Sequence, residues 1–94
     1  SFVESAGSPF LFPEMWDLAK RVLDGSVNAS IEDTVTAIRL LAERNRVIAE
    51  GAGALSVAAA LAGEAGSGKV VCVVSGASID LEKLVKIFQG KIPE

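Results

Sequence analysis

The chain has 94 residues, 50% hydrophobic and 22% charged, with a formal net charge of −3. This length allows one domain at most, and the high apolar fraction with small net charge excludes a disordered chain. Lys and Arg (9) are fewer than Asp and Glu (12), which speaks against a nucleic-acid partner, and the longest apolar stretch, Ala52 to Ala62, is about half the roughly 20 residues that a membrane span needs.

In chain order, Ser1 to Phe12 reads as an irregular lead-in rich in Ser, Gly, Pro and Phe. It has neither the basic region nor the apolar core of a signal peptide. Pro13 suits a first helical residue, with Glu14 and Asp17 near the positive helix end. Met15, Leu18, Ala19 and Val22 follow as an apolar stripe of helical spacing, and Gly25 is expected to end that helix. Ser26 to Ala29 is short enough for a strand. Ser30 and Asp33 resemble a capping box opening a second helix. Its apolar face is Ile31, Val35, Ile38, Leu41 and Ala42, and its polar face Glu32, Thr36, Arg39 and Glu43.

Arg46 to Ala49 reads as a brief buried strand and Glu50 to Gly53 as a turn. Ala54 to Ala62 is a third helix, apolar nearly all round and hence expected to be buried on several sides. Gly63 to Gly68 is a loop. Val70 to Val74 is a continuously apolar, β-branched run, as in a parallel strand covered on both faces. Ser75 to Ser78 is a turn, and Asp80 to Phe88 a last amphipathic helix. Alternating helices and short parallel strands define an α/β chain. The mean hydropathy of +0.43 is high for so small a domain, which must leave much of its surface exposed. The excess indicates a chain that packs against something else.

No His or Tyr is present, so a Ser-His-Asp triad and His-ligated metals are excluded from these residues. The single Cys72 allows no internal disulfide and, within its Val run, reads as a small buried hydrophobe. Cysteine usage and the missing signal peptide give an expectation of cytoplasmic location.

Gly63 to Lys69 fits most of a phosphate-binding loop. The next residue, however, is Val70 rather than Ser or Thr, and a helix precedes the loop where a strand is needed. Gly51-Ala52-Gly53 begins a dinucleotide-type pattern but lacks its third glycine. Two other places carry more chemistry. Glu50 and Ser75 each follow an apolar run and precede a glycine, and in open α/β sheets ligands bind beyond strand ends. A carboxylate there serves as a functional group or a surface cap. A hydroxyl there holds a neutral heteroatom without bringing charge, or merely begins a turn.

Glu50-Gly-Ala-Gly-Ala54, then Val73-Val74-Ser75-Gly76 and Ile79-Asp80-Leu81, resemble the C-terminal part of the threonine dehydratases. These are threonine/serine deaminases among the fold-type-II enzymes that use pyridoxal phosphate. Gly7 to Phe10, Pro13 to Met15 and Arg39 to Glu43 also fit, so the resemblance spans nearly the whole chain. It implies that residues 1–94 are a single C-terminal segment of the coenzyme-binding catalytic domain, part of the large domain. The N-terminal portion, with the Schiff-base lysine and the glycine-rich phosphate loop, would be a partner outside these residues. Lys20, Lys69, Lys83, Lys86 and Lys91 all read as solvated side chains.

The resemblance further implies that Ser75 hydrogen-bonds the pyridine nitrogen of the coenzyme, which a neutral hydroxyl leaves largely unprotonated. Glu50 lies beside the coenzyme, Gly51 and Gly76 allow close approach of the flat ring, and Val3 to Gly7 borders coenzyme and substrate. The whole enzyme would deaminate threonine to 2-oxobutanoate and ammonia, as a homo-oligomer, with the 94 residues inactive alone. Two places depart from the family pattern. Ser75-Gly76-Ala77-Ser78 stands for Ser-Gly-Gly-Asn, and Glu4-Ser5 for Asp-Gly. The alternatives are a serine racemase, a hydroxyaspartate dehydratase, or a non-catalytic α/β binding or regulatory module.

Overall fold

The computed structural model describes residues 1–94 as four α-helices joined by irregular segments. The first, α1, is Pro13–Val22, with Pro at its first turn and Glu14 in the same turn. It closes at Leu23, whose backbone leaves the helical region at φ −94° and ψ 136°, and not at Gly25. None of its residues is buried, so the Met15, Leu18 and Val22 stripe lies open.

The second helix, α2, is Ile31–Leu40. Ser30 caps it as its sequence indicates, its hydroxyl accepting the Asp33 N–H at 3.0 Å. That bond satisfies one of the helix's orphan donors. Thr34 is fully buried and its hydroxyl donates to the Ser30 carbonyl at 2.8 Å. The buried face is Thr34, Val35, Ala37 and Ile38, joined by Leu41. Ile31 and Ala42 are only half-buried.

Beyond Leu40 the helix widens into a π turn, Leu41–Asn45. Arg46 ends it in the left-handed region, at φ 56°, and its guanidinium donates to the carbonyls of Ala42 and Glu43. The expected strand at 46–49 is therefore displaced at its first residue by helix termination. The last carbonyls of a helix need donors, and a long cationic side chain supplies them.

Helix α3 is Gly51–Leu61, so it starts three residues before Ala54. Glu50 precedes it as its cap residue, and both glycines of the expected turn lie inside the first helical turn. Gly51, Gly53, Ala54, Ala58 and Ala59 are buried. Small residues let α3 lie close on α2, where Ala37 is also fully buried. Ala52, Leu55, Ser56, Val57 and Ala60 are half-buried and only Leu61 is exposed, so α3 is covered in part on its other sides too, as its composition indicates.

The last helix, α4 (Leu81–Phe88), packs Leu84 and Ile87 against α2. It ends at Gly90, whose positive φ of 82° suits the bonds from Gly90 N to Ile87 O and from Lys91 N to Lys86 O. The core is completed by Phe2 and Ala49. No helix is long and apolar enough to cross a membrane.

The alternating strands are the main correction. Residues 26–29, 46–49 and 70–74 form no strand, because a strand exists through its ladder partner and these segments share almost no ladder. A single backbone bond, Glu50 N to Gly76 O at 3.0 Å, ties the ends of two of them together. Exposure nevertheless alternates along 71–76. Cys72, Val74 and Gly76 are half-buried, while Val71, Val73 and Ser75 are exposed, as in extended backbone with one face covered. The other face, read from sequence as covered, is bare.

Candidate active site

The site forms where the first turn of α3 meets the end of the 70–76 segment. Glu50, Gly53 and Ser56 are spaced three apart, which places them on one helix face, and all three engage that segment. The Glu50 N–H donates to the Gly76 carbonyl at 3.0 Å. The Ser56 hydroxyl donates to the Val73 carbonyl at 2.8 Å, and the Cys72 thiol donates to the Ser56 carbonyl at 3.5 Å. Between these anchors Gly53 faces Gly76, where an added Cβ would overlap the Gly76 carbonyl oxygen and lie 2.8 Å from its nitrogen.

The Glu50 carboxylate folds over Gly76. A Cβ on Gly76 would overlap Oε1 and lie 3.2 Å from the carboxyl carbon. Ser75 is the neighbouring residue and is exposed. Neither the Glu50 carboxylate nor the Ser75 hydroxyl enters a side-chain hydrogen bond. Of the four expected site residues, Glu50 and Gly76 meet; Ser75 is next to Gly76 in the chain, exposed, and on the alternate face of the segment. The fourth, Gly51, points elsewhere: its missing side chain leaves room for Val3 and Phe2, and a methyl added to it would stand 2.8 Å from Val3 Cγ2.

Next to Glu50 is a polar cavity of about 100 Å³ bordered by Glu4, Glu50, Ser78, Asp80 and Lys83. Lys83 is not the solvated lysine its sequence suggests. Its side chain is 21% exposed and donates to Glu4 Oε1 at 2.8 Å, with Asp80 Oδ2 at 3.8 Å. The hydrogen bond from Lys83, aided by its charge, holds the Glu4 carboxyl below its ordinary value. The reciprocal bond raises Lys83 above its own ordinary value. This pair fastens the lead-in to α4. The Asp80–Lys83 spacing is visible in sequence; the link to Glu4, 79 residues away, is not. A second, open cavity of about 490 Å³ lies between the lead-in residues Val3, Ala6 and Gly7 and Asn28, Thr34 and Ser56. The Gly63 to Lys69 stretch is an exposed turn with positive φ at Gly63, Gly66 and Gly68. No group of three or more His, Cys, Asp or Glu side chains is placed to hold a metal.

The site thus offers an exposed hydroxyl next to a glycine that a carboxylate overlies. Comparison with known proteins shows the family. The model for the pyridoxal-phosphate dependent enzymes matches residues 1–76, and the chain belongs to that family. Among curated proteins it is 40% identical over 74 residues to an L-threonine ammonia-lyase of Thermotoga maritima, covering 78% of this chain and 18% of that protein. It is also 40% identical over 80 residues to an L-threonine ammonia-lyase of Geobacter sulfurreducens, covering 83% and 19%. With the catabolic L-threonine dehydratase of Escherichia coli it shares 33% over 76 residues, covering 77% and 23%. The chain thus spans about a fifth of the length of these relatives. No solved structure gives a significant match.

Proposed function

We propose that these residues form the ring-nitrogen side of the coenzyme site in a fold-type-II threonine/serine ammonia-lyase that converts L-threonine to 2-oxobutanoate and ammonia. The observation that carries this reading is the Glu50 carboxylate lying over Gly76, with the exposed Ser75 next in the chain, supported by the relatives' names. Bound pyridoxal phosphate supplies the electron sink that renders an amino acid's α proton acidic. The chain's own contribution is binding and electrostatics. Ser75 donates a hydrogen bond to the unprotonated ring nitrogen and, being neutral, does not protonate it. Gly76, with no side chain, leaves the space over its Cα to the flexible Glu50 carboxylate, which would give way to the ring. Glu50 places a carboxylate beside that edge and fixes Gly76 through its own N–H. The remaining sequence of the enzyme supplies the lysine and the phosphate contacts, and the 94 residues alone do not deaminate threonine.

The test is the full-length enzyme with Ser75→Ala. Loss of one hydrogen bond to the coenzyme should weaken its binding by roughly 5- to 10-fold, equivalent to about 1 kcal/mol, and shift the absorption of the bound coenzyme. A panel of threonine, serine and 3-hydroxyaspartate, read as 2-oxo acid formed, should show threonine preferred. Wild-type coenzyme affinity and spectrum in the variant would remove the Ser75 assignment. Coenzyme binding with no 2-oxo acid from any of the three substrates would remove the ammonia-lyase.

A further inference from the structure

We propose that Gly53 is a positioning residue of this site. Resting on the reading of Ser75 above, the proposal is that bare contact between the first turn of α3 and the Gly76 peptide sets where the Ser75 hydroxyl stands. The geometry is specific. Glu50 and Gly53 meet Gly76, whereas Ser56 meets Val73 and Cys72, so the segment runs antiparallel to the helix. Six helical residues rise about 9 Å, and three extended residues span about 10 Å. The two elements therefore stay in step from one anchor to the next. Ser75 lies between the anchored residues Val73 and Gly76 and has little freedom of its own.

Within that clamp Gly53 is the point where bulk is not tolerated. A methyl there meets the Gly76 carbonyl oxygen, its nitrogen at 2.8 Å and its carbonyl carbon at 3.2 Å. All three are backbone atoms, so no side chain can swing aside, and the peptide that follows Ser75 must move. At Gly76 the obstacle is instead the tip of the Glu50 side chain, which is flexible. At Gly25 nothing lies within 4 Å.

The experiment uses the full-length enzyme carrying Gly53→Ala, with Gly25→Ala as a control for glycine replacement. Measured are the coenzyme Kd, the absorption maximum of the bound coenzyme, kcat, KM for threonine and Tm. Misplacing a contact group by the better part of an ångström is worth up to about 100-fold. Gly53→Ala should weaken coenzyme binding at least tenfold, shift the absorption maximum in the direction seen for Ser75→Ala, and lower kcat more than it raises KM. Gly25→Ala should change none of these. A Gly53→Ala enzyme with lowered Tm but wild-type Kd and absorption overturns the inference, because Gly53 is then packing only. If Gly53→Ala does not fold, Ser56→Ala decides, since it removes the Val73 anchor without adding bulk. A smaller absorption shift in the same direction supports the clamp, and a wild-type spectrum overturns it. Ser75→Ala separates the two failures. No effect there sinks the Ser75 reading itself, whereas a clear effect there with none from Gly53→Ala sinks only the positioning role.

Discussion

Val71 and Val73 are 90% and 72% exposed, yet they sit in the most strongly apolar run of the chain. Replacing both by Ser tests whether this face is covered in the whole enzyme. Burying a Val side chain contributes about 1.5–3 kcal/mol, and at these exposures almost none of that is realised within the 94 residues. The double variant should therefore change the urea-unfolding free energy of the isolated chain by no more than the roughly 0.5 kcal/mol typical of surface changes. In the full-length enzyme it should cost about 3–6 kcal/mol for the pair, with a further penalty if the hydroxyls find no partner. Ile38→Ala supplies the reference. Ile38 is 0% exposed at the centre of the core, so truncation should cost about 2–5 kcal/mol in both proteins. Far-UV circular dichroism during urea unfolding reads all four cases. If the double variant unfolds in the full-length enzyme like the wild type, the face is bare there too. The high hydropathy then has another origin.

The Glu4 carboxyl is held below its ordinary 4.5 and Lys83 above its ordinary 10.5. The Glu4 part of the pair's stabilisation is thus present above pH 4.5 and lost as pH falls through its lowered value. The Lys83 part is present below pH 10.5 and lost as pH rises through its raised value. An NMR titration of the Glu4 carboxyl should move up towards 4.5 in Lys83→Met; an unchanged titration would mean that the pair does not form in solution. Ser30→Ala removes the cap of α2 and should cost about 1 kcal/mol, visible as a lowered urea midpoint; no change would show that water replaces the hydroxyl.

How far the sequence reading reached depended on the range of the forces involved. The α2 start was legible because Ser30 and Asp33 are three residues apart and their bond is local. The helices at Pro13 and Leu81 were legible for the same reason. The strands were not, because a strand exists through its ladder partner and residues 26–29, 46–49 and 70–74 share almost no ladder. Arg46 misled through its company: Val47 and Ile48 made the stretch look like a strand, while the four unsatisfied carbonyls of the preceding helix decided its conformation. At the candidate site, strand-end position and family pattern single out Glu50, Ser75 and Gly76, and the structure brings Glu50 onto Gly76. In sequence Gly53 belongs to a turn, to an incomplete dinucleotide-type pattern and to the family motif, and none of these shows its contact, because a glycine's purpose is the atom it admits, here a peptide 23 residues further on. Lys83 looks solvated in sequence because its partner, Glu4, lies at the opposite end of the chain.

The glycines of α3 mark a built site. Gly in a helix interior costs roughly 0.5–1 kcal/mol relative to Ala, and α3 carries two within its first turn. Its cap residue, Glu50, offers no side-chain hydrogen bond to the helix end. On local rules alone Gly51 and Gly53 should be Ala and Glu50 should be Ser or Asp. Each departure has a counterpart in space. Gly51 admits Phe2 and Val3, Gly53 admits the Gly76 peptide, and the uncommitted Glu50 carboxylate lies over Gly76. Where local preference is overridden at both Glu50 and Gly53 towards the Gly76 peptide, that region is under a constraint other than helix stability. Gly51→Ala and Gly53→Ala should therefore differ in outcome despite equal gains in helix propensity. The Gly51 methyl faces the lead-in, at the Val3 and Phe2 side chains and Val3 Cα, and not the Gly76 peptide, so that variant should keep the coenzyme spectrum. The Gly53 methyl faces backbone, and only that variant should move it. Equal spectral effects from both would place the constraint in the helix turn as a whole rather than in its contact with Gly76.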